Sequence, residues 1–312
     1  MKIVVAGAGG VGGFFGAQLS KAGHDVFMIA RGAHLEAIAK NGLCIKSQTG
    51  DVLVRPGCGV ESSPFGLADL ALVCFKAYDT ASTTALYAPS VGSNTTIISL
   101  QNGLDNEPAL IKAFGAEKVV GGVAFIGSRV QSPGVILHTA FGSIAIGEMN
   151  GEPSARVAEL GAMFTAAGIK TRVSPNIVKD KYSKMTWNIG FNGLCAILDC
   201  SAGAAVRFNP TRALVRSAMM EWISVARKTG VSLDYSIADT NIQVTESGGE
   251  VIPSMLEDKR RGRRMEIESF NGKAERLGAH AGIPTPVNSM IANLVRYYNS
   301  RILQEPGSAG TR

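Results

Sequence analysis

The chain begins MKIVVAGAGGVGGFFG, and this stretch constrains the fold more than any other. A β-branched apolar run, Ile3-Val4-Val5, stops at Ala6. Gly7, Gly9 and Gly12 follow in G-x-G-x-x-G spacing, and a helical pattern starts at once. A short buried strand feeding a glycine turn into a helix is how a chain holds a pyrophosphate. The first glycine permits the tight turn, the second removes a Cβ that would block the phosphates, and the third lets the helix pack close to the strand. The N–H groups and positive dipole end of that helix then face the anion. Gly7, Ala8, Gly9, Gly10, Val11 and Gly12 are thereby assigned to cofactor binding. The blander reading is an ordinary glycine-rich turn. The order of strand, turn and helix favours the dinucleotide.

Further apolar runs at 24–30, 70–75, 95–100 and 119–125 alternate with helical patterns, one of them starting near Asp79. Continuous apolar strands separated by helices describe a parallel sheet covered on both faces. The stretches 43–60 and 133–148 read as short β segments added to that core. Near Ser174-Pro175 the character changes to helical, with helices expected over 176–200, 210–229, from about Pro253, and over 287–302. The expected fold class is α/β: a Rossmann-type parallel sheet over 1–173 and an all-helical domain over 174–304. A Gly/Pro/Ser tail at 305–312 is expected to be disordered.

Two domains also suit the length of 312 residues. No apolar run is long enough to span a bilayer, and the glycine turn interrupts the N-terminal apolar run, so neither a membrane anchor nor a signal peptide is expected. The expectation is a cytoplasmic protein. Cys44, Cys58, Cys74, Cys195 and Cys200 are odd in number and form no C-x-x-C pair, which argues against disulfides and structural zinc. The four histidines lack metal-ligand spacing, so no metal centre is expected. The net charge is +6, and much of it sits in the run Lys259-Arg260-Arg261-Gly262-Arg263-Arg264. Such a run can bind nucleic acid, but no aromatic residues interleave with it. A solvated face, or attraction of an anionic cofactor and substrate, fits better. The apolar C-terminal helices admit a homodimer, and the oligomeric state stays open.

In NAD-binding versions of this fold an acidic residue ends the second strand and grips the ribose 2′-hydroxyl. Here Ile29-Ala30 is followed by Arg31. A guanidinium there suits a 2′-phosphate, which points to NADP(H), although a plain surface arginine would look the same. Glu36 is a weak acidic competitor. Lys76 directly follows the strand at 70–75, and Asn102 the strand at 95–100. Ligands of open parallel sheets bind beyond those strand ends. Asn102-Gly103 is also simply a favoured turn pair.

In the largely apolar helix at 176–200, Lys184, Asn188 and Asn192 recur at i, i+4 and i+8 and form one polar stripe. Buried Lys and Asn need partners or cost several kcal/mol. A substrate pocket would supply them. A solvent-facing stripe, or an Asn–Asn bridge between helices, is the alternative.

Taken together, these features resemble the ketopantoate reductase (2-dehydropantoate 2-reductase) family. The resemblance covers nearly the whole chain. It rests on Gly-Ala-Gly-Gly-Val-Gly at 7–12, Arg31, Phe75-Lys76-Ala77, Gln101-Asn102-Gly103, the Lys184/Asn188/Asn192 stripe, Ser254-Met255-Leu256-x-Asp258, Glu266-Ile267 and Asn271-Gly272. It implies NADPH-dependent reduction of a small 2-oxo acid, ketopantoate, to a 2-hydroxy acid, pantoate, in pantothenate biosynthesis. It implies that Lys184 is the general acid and that Glu266 supports it. Asn188, Asn192 and Ser254 would hold substrate, while Asn102 and Lys76 would lie near nicotinamide and substrate. Burial would lower the Lys184 pKa and Glu266 would raise it, a balance the sequence leaves open. The alternatives are a reductase of a different oxo acid on the same scaffold, and a non-catalytic NADP-binding sensor.

Overall fold

The computed structural model describes residues 1–304, so the expected tail at 305–312 lies outside the described residues. Its contacts divide the chain into two compact units, Met1–Val178 and a second from Lys179 onward.

In the first unit the chain runs β1 (Lys2–Ala6), α1 (Gly10–Lys21), β2 (Asp25–Ile29), α2 (Gly32–Asn41), β3 (Leu43–Ser47), β4 (Val52–Val54) and β5 (Gly57–Gly59). It continues through β6 (Ala68–Val73), α3 (Thr80–Tyr87), β7 (Val91–Ser99), α4 (Asn106–Phe114), β8 (Val119–Ser132), β9 (Val135–Glu148), α5 (Ala155–Ala166) and β10 (Lys170–Val173). Among the described residues these ten strands form one sheet in the order β4-β3-β9-β8-β7-β6-β1-β2-β5, with β10 beside β9. From β1 the chain passes to β2, forms β3 and β4 at the opposite edge of the sheet, returns to β5 outside β2, and then enters β6 on the other side of β1. The direction of winding therefore reverses between β1 and β6, which run parallel with Ala6 opposite Val73. Ligands of open α/β sheets bind at such a reversal, beyond the carboxyl ends of the strands.

The strand interiors read as unbroken apolar runs because both faces are covered. Ile3, Val5, Met28, Leu70 and Leu72 face one core with Phe15 and Leu19 of α1. Their neighbours Val4, Ala6, Ile29, Ala71 and Val73 face the other, with Tyr87 and Leu110. Successive side chains of a strand point to opposite faces, so both must be apolar.

The stretch 133–148 departs from expectation. It is not a short addition but part of a 14-residue strand, β9, paired antiparallel with an equally long β8 that runs on past residue 125. Glycines and three register shifts break the apolar pattern that would have marked the hairpin's length. The sheet is thus parallel at its centre and antiparallel where β8 meets β9 and where β3 meets β4.

The second unit is helical, as expected: α6 (Ile177–Leu198), α7 (Ala202–Arg207), α8 (Asn209–Lys228), α9 (Ser236–Ser247), α10 (Ser254–Arg260), α11 (Asn271–Ala281) and α12 (Pro286–Gln304). Trp222 of α8 is wholly buried, stacks on Tyr182 at 5.1 Å and donates its indole N–H to the Tyr182 carbonyl at 3.1 Å. α6 and α8 come close because Gly190 has no side chain: a Cβ there would lie 2.4 Å from Met219 Cε. Among the described residues no helix is long and apolar enough to cross a membrane.

Trp222→Ala leaves a large void and removes the indole N–H that bonds the Tyr182 carbonyl. We expect a loss of about 3–5 kcal/mol in unfolding free energy, read as a lower urea midpoint.

Candidate active site

The glycine turn has the geometry its spacing requires. Gly7 sits at φ +106°, where side chains other than hydrogen are strained. A Cβ on Gly12 would lie 2.1 Å from the Gly7 carbonyl oxygen, so α1 can approach β1 only with glycine there. A Cβ on Gly9 would meet nothing within 4 Å, so that side of the turn is open. The first α-helical bond runs from Gly13 N–H to the Gly9 carbonyl at 2.7 Å, and the amides ahead of it have no carbonyl one turn back. The first turn of α1 has no acidic residue to neutralise the helix dipole. These features fit a dinucleotide pyrophosphate.

Arg31 follows β2 at the head of α2, is exposed, and has no acidic residue in the first turn beside it. Lys76 follows β6 and heads a 3-10 turn at Ala77–Asp79. The turns carrying Lys76 and Asn102 are tied together by buried side chains that sequence reasoning did not single out. Gln101 donates from Nε2 to the Phe75 carbonyl at 3.0 Å and to Thr80 Oγ1 at 2.8 Å. Thr80 Oγ1 donates to Asn106 Oδ1 at 2.8 Å, and Asn106 Nδ2 to the Asn102 carbonyl at 2.7 Å. Gln101, Thr80 and Asn106 are at most 6% exposed, so each lost bond would strand a buried polar group. Asn102 is also a turn residue, with Gly103 at φ +92° behind it.

In the helical unit the structure brings Asn188, Asn192 and Ser254 into one hydrogen-bonded row. Asn192 Oδ1 accepts from Ser254 Oγ and from the Met255 N–H, both at 3.1 Å. The backbone donor fixes which way the amide points. Asn192 Nδ2 then donates to Asn188 Oδ1 at 3.1 Å, leaving the Asn188 N–H donors for a bound group. Both asparagines are buried, which excludes the solvent-facing reading of the stripe.

Lys184 stands one turn before Asn188. As a residue it is partly buried, but its ammonium lies deep within protein. Burial pulls its pKa from 10.5 down to about 7, the Lys181 ammonium adds to the fall, and the Glu266 carboxylate opposes it. Burial therefore wins the balance that the sequence left open. Glu266 and Lys181 are each 6% exposed. Lys181 was not among the sequence candidates, although its i, i+3 spacing from Lys184 was there to be read. A lysine titrating near neutrality can give or take a proton at working pH.

Two family models cover most of the chain. Ketopantoate reductase PanE/ApbA matches residues 3–151, and Ketopantoate reductase PanE/ApbA C terminal matches residues 176–299. The chain belongs to this family. A 2-dehydropantoate 2-reductase of Mesorhizobium japonicum is 31% identical over 317 aligned positions, covering 95% of this chain and 97% of that protein. The crystal structure of 2-dehydropantoate 2-reductase from Geobacter metallireducens GS-15 superposes with a TM-score of 0.91 at 36% identity, covering 95% and 99% of the two chains. A D-mandelate dehydrogenase in complex with NADH superposes with a TM-score of 0.87 at 25% identity, covering 97% and 100%. All three alignments span both units of the family fold.

The electrostatics of Lys184 can be checked without any reaction. In NMR of lysines carbon-13-labelled at Cε, one resonance should titrate near pH 7. Lys181→Met should move that midpoint upward, because a repelling cation is lost. Glu266→Gln should move it downward, because an attracting anion is lost. A Lys184 resonance titrating near 10.5 would show that the ammonium is solvated.

Proposed function

We propose that this chain is an NADPH-dependent 2-dehydropantoate 2-reductase that reduces the ketone of ketopantoate to the alcohol of pantoate, in pantothenate biosynthesis. The observation that carries the reading is Lys184: an ammonium that burial pulls to a pKa of about 7, in line with the buried amides of Asn188 and Asn192, the latter bonded to Ser254. When bound, the reduced nicotinamide supplies the hydride that adds to the substrate's 2-oxo carbon. Lys184 donates its proton to the carbonyl oxygen as the C=O π bond opens, so one hydride and one proton convert the 2-oxo acid to the 2-hydroxy acid. Its charge also stabilises the developing alkoxide. Glu266 keeps Lys184 protonated at a higher pH than burial alone would allow. Asn188 offers its amide donors to the substrate's oxygens, and Asn192 and Ser254 hold it in register. Gly7 to Gly12 take the pyrophosphate, Arg31 the 2′-phosphate, and Lys76 and Asn102 the nicotinamide end. The reading carries with it a cytoplasmic, small-molecule enzyme.

A second reading keeps the chemistry and changes the substrate. The D-mandelate dehydrogenase of the same fold carries a different 2-hydroxy acid in its name and NADH in its crystal. NADPH and NADH oxidation with ketopantoate, phenylglyoxylate and several aliphatic 2-oxo acids separates the two. Preference for ketopantoate with NADPH supports the first reading. Preference for phenylglyoxylate, or equal use of both cofactors, overturns its substrate or its cofactor assignment respectively.

Lys184→Ala should lower kcat by about 10²–10⁴-fold, the usual worth of a positioned acid, with the protein still folded. Wild-type reduction should slow as pH rises through about 7, because Lys184 loses the proton it must donate. Arg31→Ala should raise KM for NADPH by about tenfold or more while leaving NADH kinetics nearly unchanged, since only the charge-assisted contact to the 2′-phosphate is lost.

A further inference from the structure

His34 lies in the first turns of α2, three residues after Arg31, and is half-buried. It bonds to the backbone of two other segments. The Gly134 N–H, in the turn between β8 and β9, donates to Nδ1 at 3.0 Å. Nδ1 therefore carries no proton, and the neutral ring's single N–H is on Nε2. That N–H donates to the Ala8 carbonyl, inside the glycine turn, at 2.8 Å. The Gly134 turn is anchored in its own right: its carbonyl accepts from the Cys44 N–H on β3 at 2.9 Å.

The Ala8 carbonyl shares a planar trans peptide with the Gly9 N–H, so the two point in opposite directions. Drawing the carbonyl toward His34 turns the Gly9 N–H away from it. Ala8's own N–H donates to the Ile29 carbonyl at 2.9 Å, so the preceding Gly7–Ala8 peptide is held as well. The space beside Gly9 is open, since a Cβ there would meet nothing within 4 Å.

We propose that His34 is a positioning residue for the dinucleotide: as the neutral Nε2–H tautomer it locks the Ala8–Gly9 peptide so that the Gly9 amide is presented to the pyrophosphate. This rests on the cofactor reading above. Protonating the ring would set an Nδ1–H against the Gly134 N–H, two donors face to face, and the clamp would release. Burial pulls the His34 pKa below 6.5 and the Ala8 bond opposes the fall. The titratable groups on the surrounding elements are Arg31 at the head of α2, Glu36 and Lys40 on α2, Cys44 and Lys46 on β3, Arg129 on β8, and His138 and Glu148 on β9, and none of them is among the causes.

The test is NADPH binding to the full-length protein without substrate, by calorimetry, for wild type, His34→Gln and His34→Leu. His34→Leu should weaken binding about tenfold, the worth of one hydrogen bond and its stranded carbonyl. His34→Gln should stay within about threefold, because its amide can donate to the same carbonyl. In steady state, His34→Leu should raise KM for NADPH and leave kcat and the oxo-acid KM nearly unchanged. Wild-type affinity should fall as pH drops below 6.5. His34→Gln should lack that fall when measured in the same buffers, which cancels titration of the nucleotide's own phosphates. Equal affinity of His34→Leu and wild type, equal losses in both variants, or coincident pH profiles of wild type and His34→Gln would each overturn the proposal. If His34→Leu does not fold, the two pH profiles decide. A wild-type protein that binds no nicotinamide dinucleotide removes the cofactor reading, and this proposal with it.

Discussion

Close backbone approach at glycine is the contact on which both functional helices depend. α1 can lie on β1 only because Gly12 stands where a Cβ would come within 2.1 Å of the Gly7 oxygen. That seating aims the first amides of the helix at the mouth of the sheet, at the strand reversal between β1 and β6. α6 is seated in its own unit in the same way. Gly190 makes room for Met219, and a Cβ on Gly193 would lie 2.4 Å from Ile291 Cγ2. In both helices the glycines face packing partners, and the chemistry is carried elsewhere on the same helix.

In the helical unit, burial of charge sets where Lys184 titrates. An ammonium removed from water loses hydration that a neighbouring carboxylate restores only in part. Lys184 has one such carboxylate, Glu266, and a second cation, Lys181, acting against it. Glu266 thus moderates the depression of the lysine's pKa rather than abolishing it. Beside it, Asn192 is bonded to Asn188, Ser254 and the Met255 N–H within the unit, while the Asn188 donors are left for a bound group. This combination suits protonation of a small polar substrate: an ammonium near neutral pKa stands one turn from amide donors that a substrate oxygen can use.

Much of this was legible in the chain, and what was not has a common cause. The G-x-G-x-x-G turn, Arg31 and the Lys184 stripe were readable because each is written in local spacing. The clamp of Gln101, Thr80 and Asn106 was not, because three of its bonds join residues 21 to 26 positions apart and the fourth, from Asn106 to the Asn102 carbonyl, has no spacing signature of its own. His34 was invisible for a stronger reason: its partners are 26 and 100 residues away. The β8–β9 hairpin was read too short because its glycines and bulges erase the alternation that marks a strand.

The sequence by itself determined the fold class, the place of the glycine turn and the residue types available for chemistry. Those follow from periodicity and from backbone rules that act over a few residues. Only the tertiary structure decided that the asparagine stripe is buried rather than solvated. It also decided that burial outweighs Glu266 at Lys184, and that His34 holds the Ala8 carbonyl. Each of these depends on distance and desolvation between groups that the chain separates and folding brings together.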